Sequence, residues 1–91
     1  MIEQVLRVEN RLGLHARAAA KLVRVASRYD SQIQLAREGA TRRIDAKSIL
    51  GILMLAASQG VRLVISIDGQ DELEAGEAIH RLFESRFEEE S

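Results

Sequence analysis

The sequence predicts an α+β fold, an open-faced two-layer sandwich in which three helices cover one face of a four-stranded antiparallel sheet. Some segments have apolar residues at every second position, as in strands, and others have them at every third or fourth position, as in helices. Asn, Asp or Gly residues, which favour turns, lie between these segments. The resulting order, βαββαβα, places the strands in one layer and the amphipathic helices in the other. The 91 residues suit one compact unit, so we expect a single domain over residues 1–91.

The first part of the chain should supply a strand and a helix. A strand is predicted over Ile2 to Val8, and Asn10 to Gly13 should form a loop. Helix formers dominate from Ala16 to Arg28, where an apolar stripe at helical spacing comprises Ala19, Leu22, Val23 and Ala26. The basic residues off this stripe should face water, namely Arg17, Lys21, Arg24 and Arg28.

A hairpin and a short helix are predicted next. Residues Ser31 to Arg37 alternate in polarity, Glu38-Gly39 should turn the chain, and Thr41 to Ile44 should return beside the first strand of the hairpin. The short helix should run from about Ser48 to Ala57 and stop before Gly60. Its inward stripe should comprise Ile52, Leu55 and Ala56.

The last part of the chain should form a strand and a longer helix. Alternation over Val61 to Ile67 predicts the strand, and Asp68-Gly69 should turn the chain. The helix should run from about Asp71 to Phe87, with Phe87 adding one turn to a buried face of Ala75, Ala78, Ile79, Leu82 and Phe83. Acidic residues crowd the end and are interpreted as a solvated, frayed tail: Glu84, Glu88, Glu89 and Glu90.

Composition limits the classes of function. The absence of cysteine excludes disulfides and thiolate metal sites, and two histidines make no zinc site unless carboxylates take part. The net charge of −1 gives no clustered positive field for nucleic acid. The first residues form no signal peptide, and the longest apolar stretch, Ile49 to Ala57, is too short to span a membrane. We therefore expect a cytoplasmic protein that binds neither a membrane nor nucleic acid.

His15 stands immediately before the first predicted helix, with Arg17 two residues on. The first N–H groups of a helix have no intrahelical acceptor, and together with the helix dipole they favour an anion. The N–H groups of Ala16, Arg17 and Ala18 could therefore bind phosphoryl oxygens, and a guanidinium could add a charge-assisted bond. The same field disfavours an imidazolium, which keeps a neutral imidazole available as a nucleophile. The residues alone leave open that His15 is an ordinary polar residue at a helix start, while His80 should be a surface residue.

Two segments are similar to those of a known family. They read Gly13-Leu14-His15-Ala16-Arg17 followed by Ala19-Ala20-Lys21-Leu22-Val23, and Ala46-Lys47-Ser48-Ile49-Leu50-Gly51-Ile52-Leu53. The first resembles the active-site signature, and the second the regulatory serine segment, of the HPr family of the phosphoenolpyruvate-dependent phosphotransferase system. The resemblance implies that Enzyme I, charged by phosphoenolpyruvate, phosphorylates the δ1 nitrogen of His15, and that a histidine of a IIA protein then receives the group. It implies a carrier without a cofactor rather than an enzyme, and we expect a monomer.

One position departs from the family pattern. Many members have proline where this chain has Ala18, and either residue fits the first helical turn, because an N–H missing there need not break an intrahelical bond. Ala18, Phe83 and the ending Ser85-Arg86-Phe87-Glu88-Glu89 are more similar to proteobacterial carriers of regulatory or nitrogen-type phosphotransferase systems. The sequence leaves open which IIA protein is the acceptor, and whether sugar uptake or regulation is served.

The short helix is apolar almost all round, so part of it should be exposed. Ile49, Leu50 and Leu53 should form that part, and an exposed apolar patch commonly marks a binding surface, although packing could simply cover them. The resemblance implies that partners dock on this helix beside His15. It also implies that an HPr kinase/phosphorylase phosphorylates Ser48, whereas the serine by itself predicts only a helix N-cap.

Other classes of protein share parts of this pattern. The same order of elements occurs in ferredoxin-like domains that bind RNA, but none of the predicted strands contains Phe, Tyr or Trp for base stacking. A small-ligand regulatory domain is harder to exclude from the pattern. Phosphate labelling would distinguish it from a phosphoryl carrier, because only the carrier becomes labelled. A free-standing kinase or phosphatase is disfavoured, because the sequence has no Gly-rich phosphate loop and no metal-binding carboxylate cluster.

Overall fold

The computed structural model describes residues 1–89 and contains the predicted layers in the predicted order. The strands are β1 Ile2–Arg7, β2 Gln32–Arg37, β3 Ile44–Asp45 and β4 Arg62–Asp68. The helices are α1 Ala16–Ala26, α2 Ile49–Leu55 and α3 Glu72–Glu84, and a 3₁₀ turn follows at Arg86–Glu88. The α+β fold class and the four-stranded antiparallel sheet are therefore confirmed.

The sheet has the order β1-β4-β2-β3, so the last strand of the chain lies between the first two. Residues facing each other across β4 and β2 include Ile67 opposite Ile33 and Ile65 opposite Leu35, and all four side chains are fully buried. Because side chains alternate along a strand, these residues share one face of the sheet with Leu63. That face forms the core with the buried residues of the helices, which include Ala19, Leu22, Ala26, Ile52, Ala75, Ile79, Leu82 and Phe83.

The returning strand of the hairpin is shorter and later than predicted. Thr41 to Ile44 was the predicted segment, but only Ile44 and Asp45 pair with β2. Residues 41–43 are exposed, and the Arg43 guanidinium lies 3.3 Å from the hydroxyl of Ser66 on β4, on the far side of β2. The turn itself lies where it was predicted, and Gly39 adopts a φ of 87° that favours glycine.

All three helices end earlier than predicted, and the first two do so by two residues. Helix α1 ends at Ala26, so Arg28 lies beyond it rather than in its last turn. Helix α2 ends at Leu55, because Ala56 has a left-handed conformation with a φ of 50°. This change of direction leaves Ala56 exposed and buries Ala57 in its place, so the predicted inward stripe was wrong at Ala56.

The prediction that α3 continues through Phe87 was wrong. The helix stops at Glu84, and Arg86, Phe87 and Glu88 all have φ values between 56° and 62°. The Phe87 ring is nevertheless buried, with its centroid 4.8 Å from that of Phe83. This left-handed turn reverses the chain and directs the next residue, Glu89, toward the start of α1.

The loop before α1 packs tightly against the segment that follows α2. Gly13 has a φ of 68°, and a Cβ atom built there would lie 2.5 Å from the carbonyl oxygen of Ala57. The N–H of Leu14 donates to that same oxygen at 2.8 Å. The loop therefore requires glycine at position 13 for both its conformation and its close approach.

Within residues 1–89 the helices are all too short or too polar to cross a bilayer.

Candidate functional site

His15 is the N-cap of α1, as the sequence predicted. Its backbone is extended, with φ −74° and ψ 178°, and its carbonyl accepts the N–H of Ala19 at 2.8 Å. The N–H groups of Ala16, Arg17 and Ala18 precede this first intrahelical bond, so they lie at the positive end of the helix. The loop held by Gly13 and Leu14 thus places an imidazole at the mouth of α1.

The two nitrogens of the His15 ring have different partners. Nδ1 accepts the backbone N–H of Arg17 at 3.3 Å, which is a long hydrogen bond. Nε2 lies 2.5 Å from a carboxylate oxygen of Glu89. A carboxylate accepts and a backbone N–H donates, so this arrangement matches a neutral imidazole with the proton on Nε2 and the lone pair on Nδ1. In this tautomer Nδ1 is therefore the nitrogen with the available lone pair, and it points at the helix N-terminus.

Glu89 is held in place by more than the histidine. The Asn10 side-chain amide donates to the carboxylate of Glu89 at 2.9 Å and to the carbonyl of Gly13 at 2.7 Å. The hydrogen bond from Asn10, supported by those with His15 and the backbone of Leu12, holds the pKa of the Glu89 carboxyl below its usual value against the opposing effect of desolvation. Only 14% of the Glu89 side chain is exposed, so the prediction of a fully solvated tail was wrong at this residue.

The rest of the predicted acidic tail is divided. Glu84 and Glu88 are exposed as expected, and Glu90 lies outside the described residues. Glu88 pairs with the ammonium of Lys21 at 3.4 Å, and that ammonium also donates to the carbonyl of Phe87 at 2.8 Å. The prediction that Lys21 faces water was therefore wrong, because the returning tail covers it.

An open cavity of about 690 Å³ lies beside the His15 ring. Basic side chains line it from the loop and from α1, namely Arg11, Arg17 and Lys21. Arg17 is exposed, so its guanidinium can move toward a group on Nδ1. Two carboxylates, those of Glu88 and Glu89, also line the cavity, so its charge is mixed with basic side chains in excess. The cavity thus places basic groups, the N–H groups of the first turn of α1 and the Nδ1 lone pair around one space, an environment suited to a phosphoryl group.

The second predicted site lies on α2, which packs against α1. Ser48 is its N-cap, and its hydroxyl accepts the N–H of Gly51 at 3.1 Å. The three residues of the predicted patch are exposed, with 44% of Ile49, 67% of Leu50 and 37% of Leu53 accessible. Met54 is also exposed and extends this surface, which we call the α2 patch, and sequence reasoning did not include it.

The structure also contains site residues that sequence reasoning missed. Glu89 and Asn10 contact the histidine or its partner, and Leu12 lines the cavity with 67% of its surface exposed. His80, by contrast, lies exposed on α3 as predicted. Among residues 1–89, no group of three or more His, Cys, Asp or Glu side chains is arranged to hold a metal ion.

Comparison with known proteins gives one family. The family model described as "PTS HPr component phosphorylation site" matches residues 2–85. The phosphocarrier protein HPr of Xylella fastidiosa (strain Temecula1) is 50% identical over 91 residues, which is the full length of both chains. The crystal structure of HPr-C-His from Thermoanaerobacter tengcongensis is similar over 100% of both chains, with a TM-score of 0.92 and 43% identity. A crystal structure of an HPr dimer from the same organism has a TM-score of 0.76 and 43% identity, covering 98% of this chain and 100% of that one.

The family match covers most of the chain, and the full-length relatives agree with it in sequence and in fold. Proteins of this family are phosphocarriers rather than enzymes with their own turnover. The chain belongs to the HPr family of phosphocarrier proteins of the phosphotransferase system.

Proposed function

We propose that His15 accepts a phosphoryl group on Nδ1 from Enzyme I charged by phosphoenolpyruvate, and passes it to a histidine of a IIA protein. The observation that supports this most directly is the direction of the ring: Nδ1 accepts the N–H of Arg17 at the mouth of α1, and Nε2 is occupied by Glu89. The nucleophilic lone pair and the groups that stabilise an anion are therefore on the same side of the imidazole.

The transfer is a displacement at phosphorus. The Nδ1 lone pair forms the new bond, the bond between phosphorus and the donor group of Enzyme I breaks, and the electron pair of that bond stays on the donor group. The Arg17 N–H leaves Nδ1 and donates to a phosphoryl oxygen, as do its neighbours Ala16 and Ala18. The Arg17 guanidinium adds a charge-assisted hydrogen bond, so this residue contributes from both its backbone and its side chain.

The partners would dock on the α2 patch. Ile49, Leu50 and Leu53 are exposed apolar residues on a helix that packs directly against α1. Enzyme I and the IIA protein must each reach the same ring, so a shared apolar surface on the helix that packs against α1 suits both.

Ser48 is proposed as a second, regulatory phosphorylation site, for which an HPr kinase/phosphorylase would be the partner. Its position beside Ile49 places a phosphate at the edge of the α2 patch. A phosphate there would bring nearly two negative charges, which would oppose docking of an apolar or acidic partner surface. Ser48 as a cap without regulation is the competing interpretation.

We further propose that the chain acts as a single cytoplasmic domain and as a monomer, and that it is a regulatory or nitrogen-type member of the family. The dimer known for the Thermoanaerobacter relative makes the oligomeric state worth measuring, and light scattering after size-exclusion chromatography decides it.

The proposed relay is tested by incubation with Enzyme I and phosphoenolpyruvate, followed by mass analysis of the labelled peptide. We expect a single acid-labile, base-stable phosphoryl group on His15 and none in the variant His15→Ala, while His80→Ala, at an exposed position, labels normally. Labelling retained in His15→Ala would refute the assignment. A ligand-sensing domain without a carrier role would remain unlabelled throughout.

A further inference from the structure

The segment after α3 returns to the active-site histidine, and it lies outside the residues 2–85 that the family model matches. We propose that Glu89 is a positioning residue for phosphoryl transfer, which acts by holding the His15 ring through Nε2 so that Nδ1 faces the helix N-terminus. This inference rests on the proposed function of His15. It adds a carboxylate partner to the histidine, supplied by the end of the chain.

The approach of Glu89 depends on specific contacts. Phe87 is buried against Phe83, the Lys21 ammonium donates to the carbonyl of Phe87, and the left-handed turn follows from this arrangement. Asn10, which is only 1% exposed, donates to the Glu89 carboxylate from one side. Contacts with the loop and within the tail thus hold the carboxylate in place independently of its hydrogen bond to the ring.

The hydrogen bonds of the ring favour one tautomer. Glu89 can only accept, so the ring nitrogen beside it must bear the proton, and the Arg17 N–H can only donate, so the other nitrogen must bear the lone pair. A ring in the other tautomer would lose both contacts. Glu89 and the Arg17 N–H therefore both favour the tautomer in which Nδ1 is the reactive atom. Of these two groups, only the Glu89 carboxylate carries a charge.

That charge matters once the ring is phosphorylated. When Nδ1 forms its bond to phosphorus and the donor group keeps the electron pair of the broken bond, the His15 ring retains its Nε2 proton and becomes cationic. The Glu89 carboxylate then faces a positive ring in a partly desolvated position, where charge-assisted hydrogen bonds are strong. When the phosphoryl group passes to the IIA protein, the bond between Nδ1 and phosphorus breaks and its electron pair stays on Nδ1. The ring is then a neutral imidazole that still has its Nε2 proton, so no proton needs to enter or leave during the relay.

Among residues 1–89, the other charged groups that line the cavity beside the ring are Arg11 in the loop, Arg17 and Lys21 on α1, and Glu88 in the tail. Glu88 is 68% exposed and pairs with Lys21 rather than with the ring, which makes it the matched control for Glu89.

The test uses the variants Glu89→Gln, which keeps an acceptor without the charge, and Glu89→Ala, which removes both, with Glu88→Gln and Glu88→Ala as controls. Nitrogen-15 NMR of the unphosphorylated imidazole reports the tautomer, and rapid-quench kinetics report transfer from Enzyme I and to the IIA protein. We expect the Nε2-protonated tautomer to lose population in Glu89→Ala. Loss of one charge-assisted hydrogen bond corresponds to about a tenfold to hundredfold slower transfer from Enzyme I in the Glu89 variants. Delivery to the IIA protein should not slow to the same extent, because the carboxylate stabilises the phosphorylated ring from which delivery starts.

The outcomes separate this inference from the proposed function. If His15 is labelled in every variant, and the Glu89 variants match the Glu88 controls in both NMR and kinetics, Glu89 has no positioning role and the relay stands. If a variant slows transfer with an unchanged nitrogen-15 spectrum and a lower melting temperature, its effect is structural and the inference is overturned. If wild-type protein is not labelled on His15, the proposed function fails, and the NMR comparison still decides whether Glu89 sets the tautomer.

Discussion

The Asp71 carboxylate accepts hydrogen bonds from both the backbone N–H and the hydroxyl of Ser31, and so joins the start of α3 to the start of β2. A third hydrogen bond comes from the N–H of Asp30 at 2.8 Å. Asp71 precedes α3 but makes no side-chain cap for it, so its role is to connect two elements that are 40 residues apart in sequence. The Ser31 side chain and the Asp30 N–H hold the pKa of the Asp71 carboxyl below its usual value.

This lowered pKa predicts a pH-dependent contribution to stability. Because the pKa is lower in the folded chain than in the unfolded chain, the stabilisation is fully present above the unfolded value of about 3.9 and is lost as the pH falls through the folded value. We expect wild type to exceed Asp71→Asn in free energy of unfolding at pH 7, with the difference shrinking as the pH is lowered below about 4. Urea unfolding from pH 7 to pH 2.5 measures it. Glu74→Gln, an exposed residue in the first turn of α3, serves as the control, and a difference independent of pH would contradict the prediction.

Arg17 should matter for transfer more than for stability. Its side chain is exposed beside the cavity, so Arg17→Ala should change the free energy of unfolding by less than about 0.5 kcal/mol. A charge-assisted hydrogen bond is worth about 1.5–3 kcal/mol, which is roughly a tenfold to hundredfold loss in transfer rate if it is confined to the transition state. Single-turnover kinetics with both partners measure this loss. Arg24→Ala, exposed on the same helix, should leave the rate unchanged, and equal rates for the two variants would refute the role of Arg17.

Leu53→Glu should weaken binding of Enzyme I and the IIA protein with little loss of stability. A glutamate at a half-exposed position can reach water, but it places a charge in the middle of an apolar contact. We expect at least about a tenfold rise in Kd, since interface residues near the centre often contribute 2 kcal/mol or more. Titration calorimetry with each partner measures it. The control is Leu73→Glu on α3, where 68% of the leucine is exposed, and equal effects of the two variants would show that the α2 patch is not the docking surface.

Phosphorylation of Ser48 should slow transfer from Enzyme I by about tenfold or more, through like-charge repulsion at the docking surface. The fold should survive, because a phosphate at the start of α2 meets free N–H groups and the positive end of the helix dipole. The decisive measurement is the rate of His15 labelling in protein fully phosphorylated at Ser48. Ser48→Ala separates the two roles: it should lose the cap, at a cost of about 1 kcal/mol, and transfer normally. An unchanged rate in the phosphorylated protein would leave Ser48 as a cap only.

The order of the elements and the place of His15 could be predicted from sequence because each depends on local patterns. Alternation marked β4, where Leu63, Ile65 and Ile67 are all fully buried, and a helical stripe marked α1. The contact between Glu89 and His15 could not be predicted in this way, because it joins residues 74 positions apart.

The errors in element boundaries also have a physical cause. Ala56, Phe87 and Glu88 adopt left-handed conformations without being glycine, and no Gly or Pro marks the end of α3. Tertiary contacts stabilise these conformations against local preference, for example burial of the Phe87 ring and the hydrogen bond from Lys21. A sequence pattern that considers only neighbours predicts a continuing helix at such a position.

The close contact between Gly13 and Ala57 has a consequence for how one carrier can serve several partners. The loop that ends in His15 has its backbone joined to the residue that follows α2, through the Leu14 N–H and a gap too small for a Cβ atom. The loop before α1 and the segment after α2 are therefore fixed in position relative to each other. In the proposed relay, a partner that docks on α2 would thereby bring its own phosphoryl donor or acceptor group into line with Nδ1, without having to recognise the ring. Donor and acceptor proteins then need to share only a docking geometry, and they can otherwise be unrelated in fold.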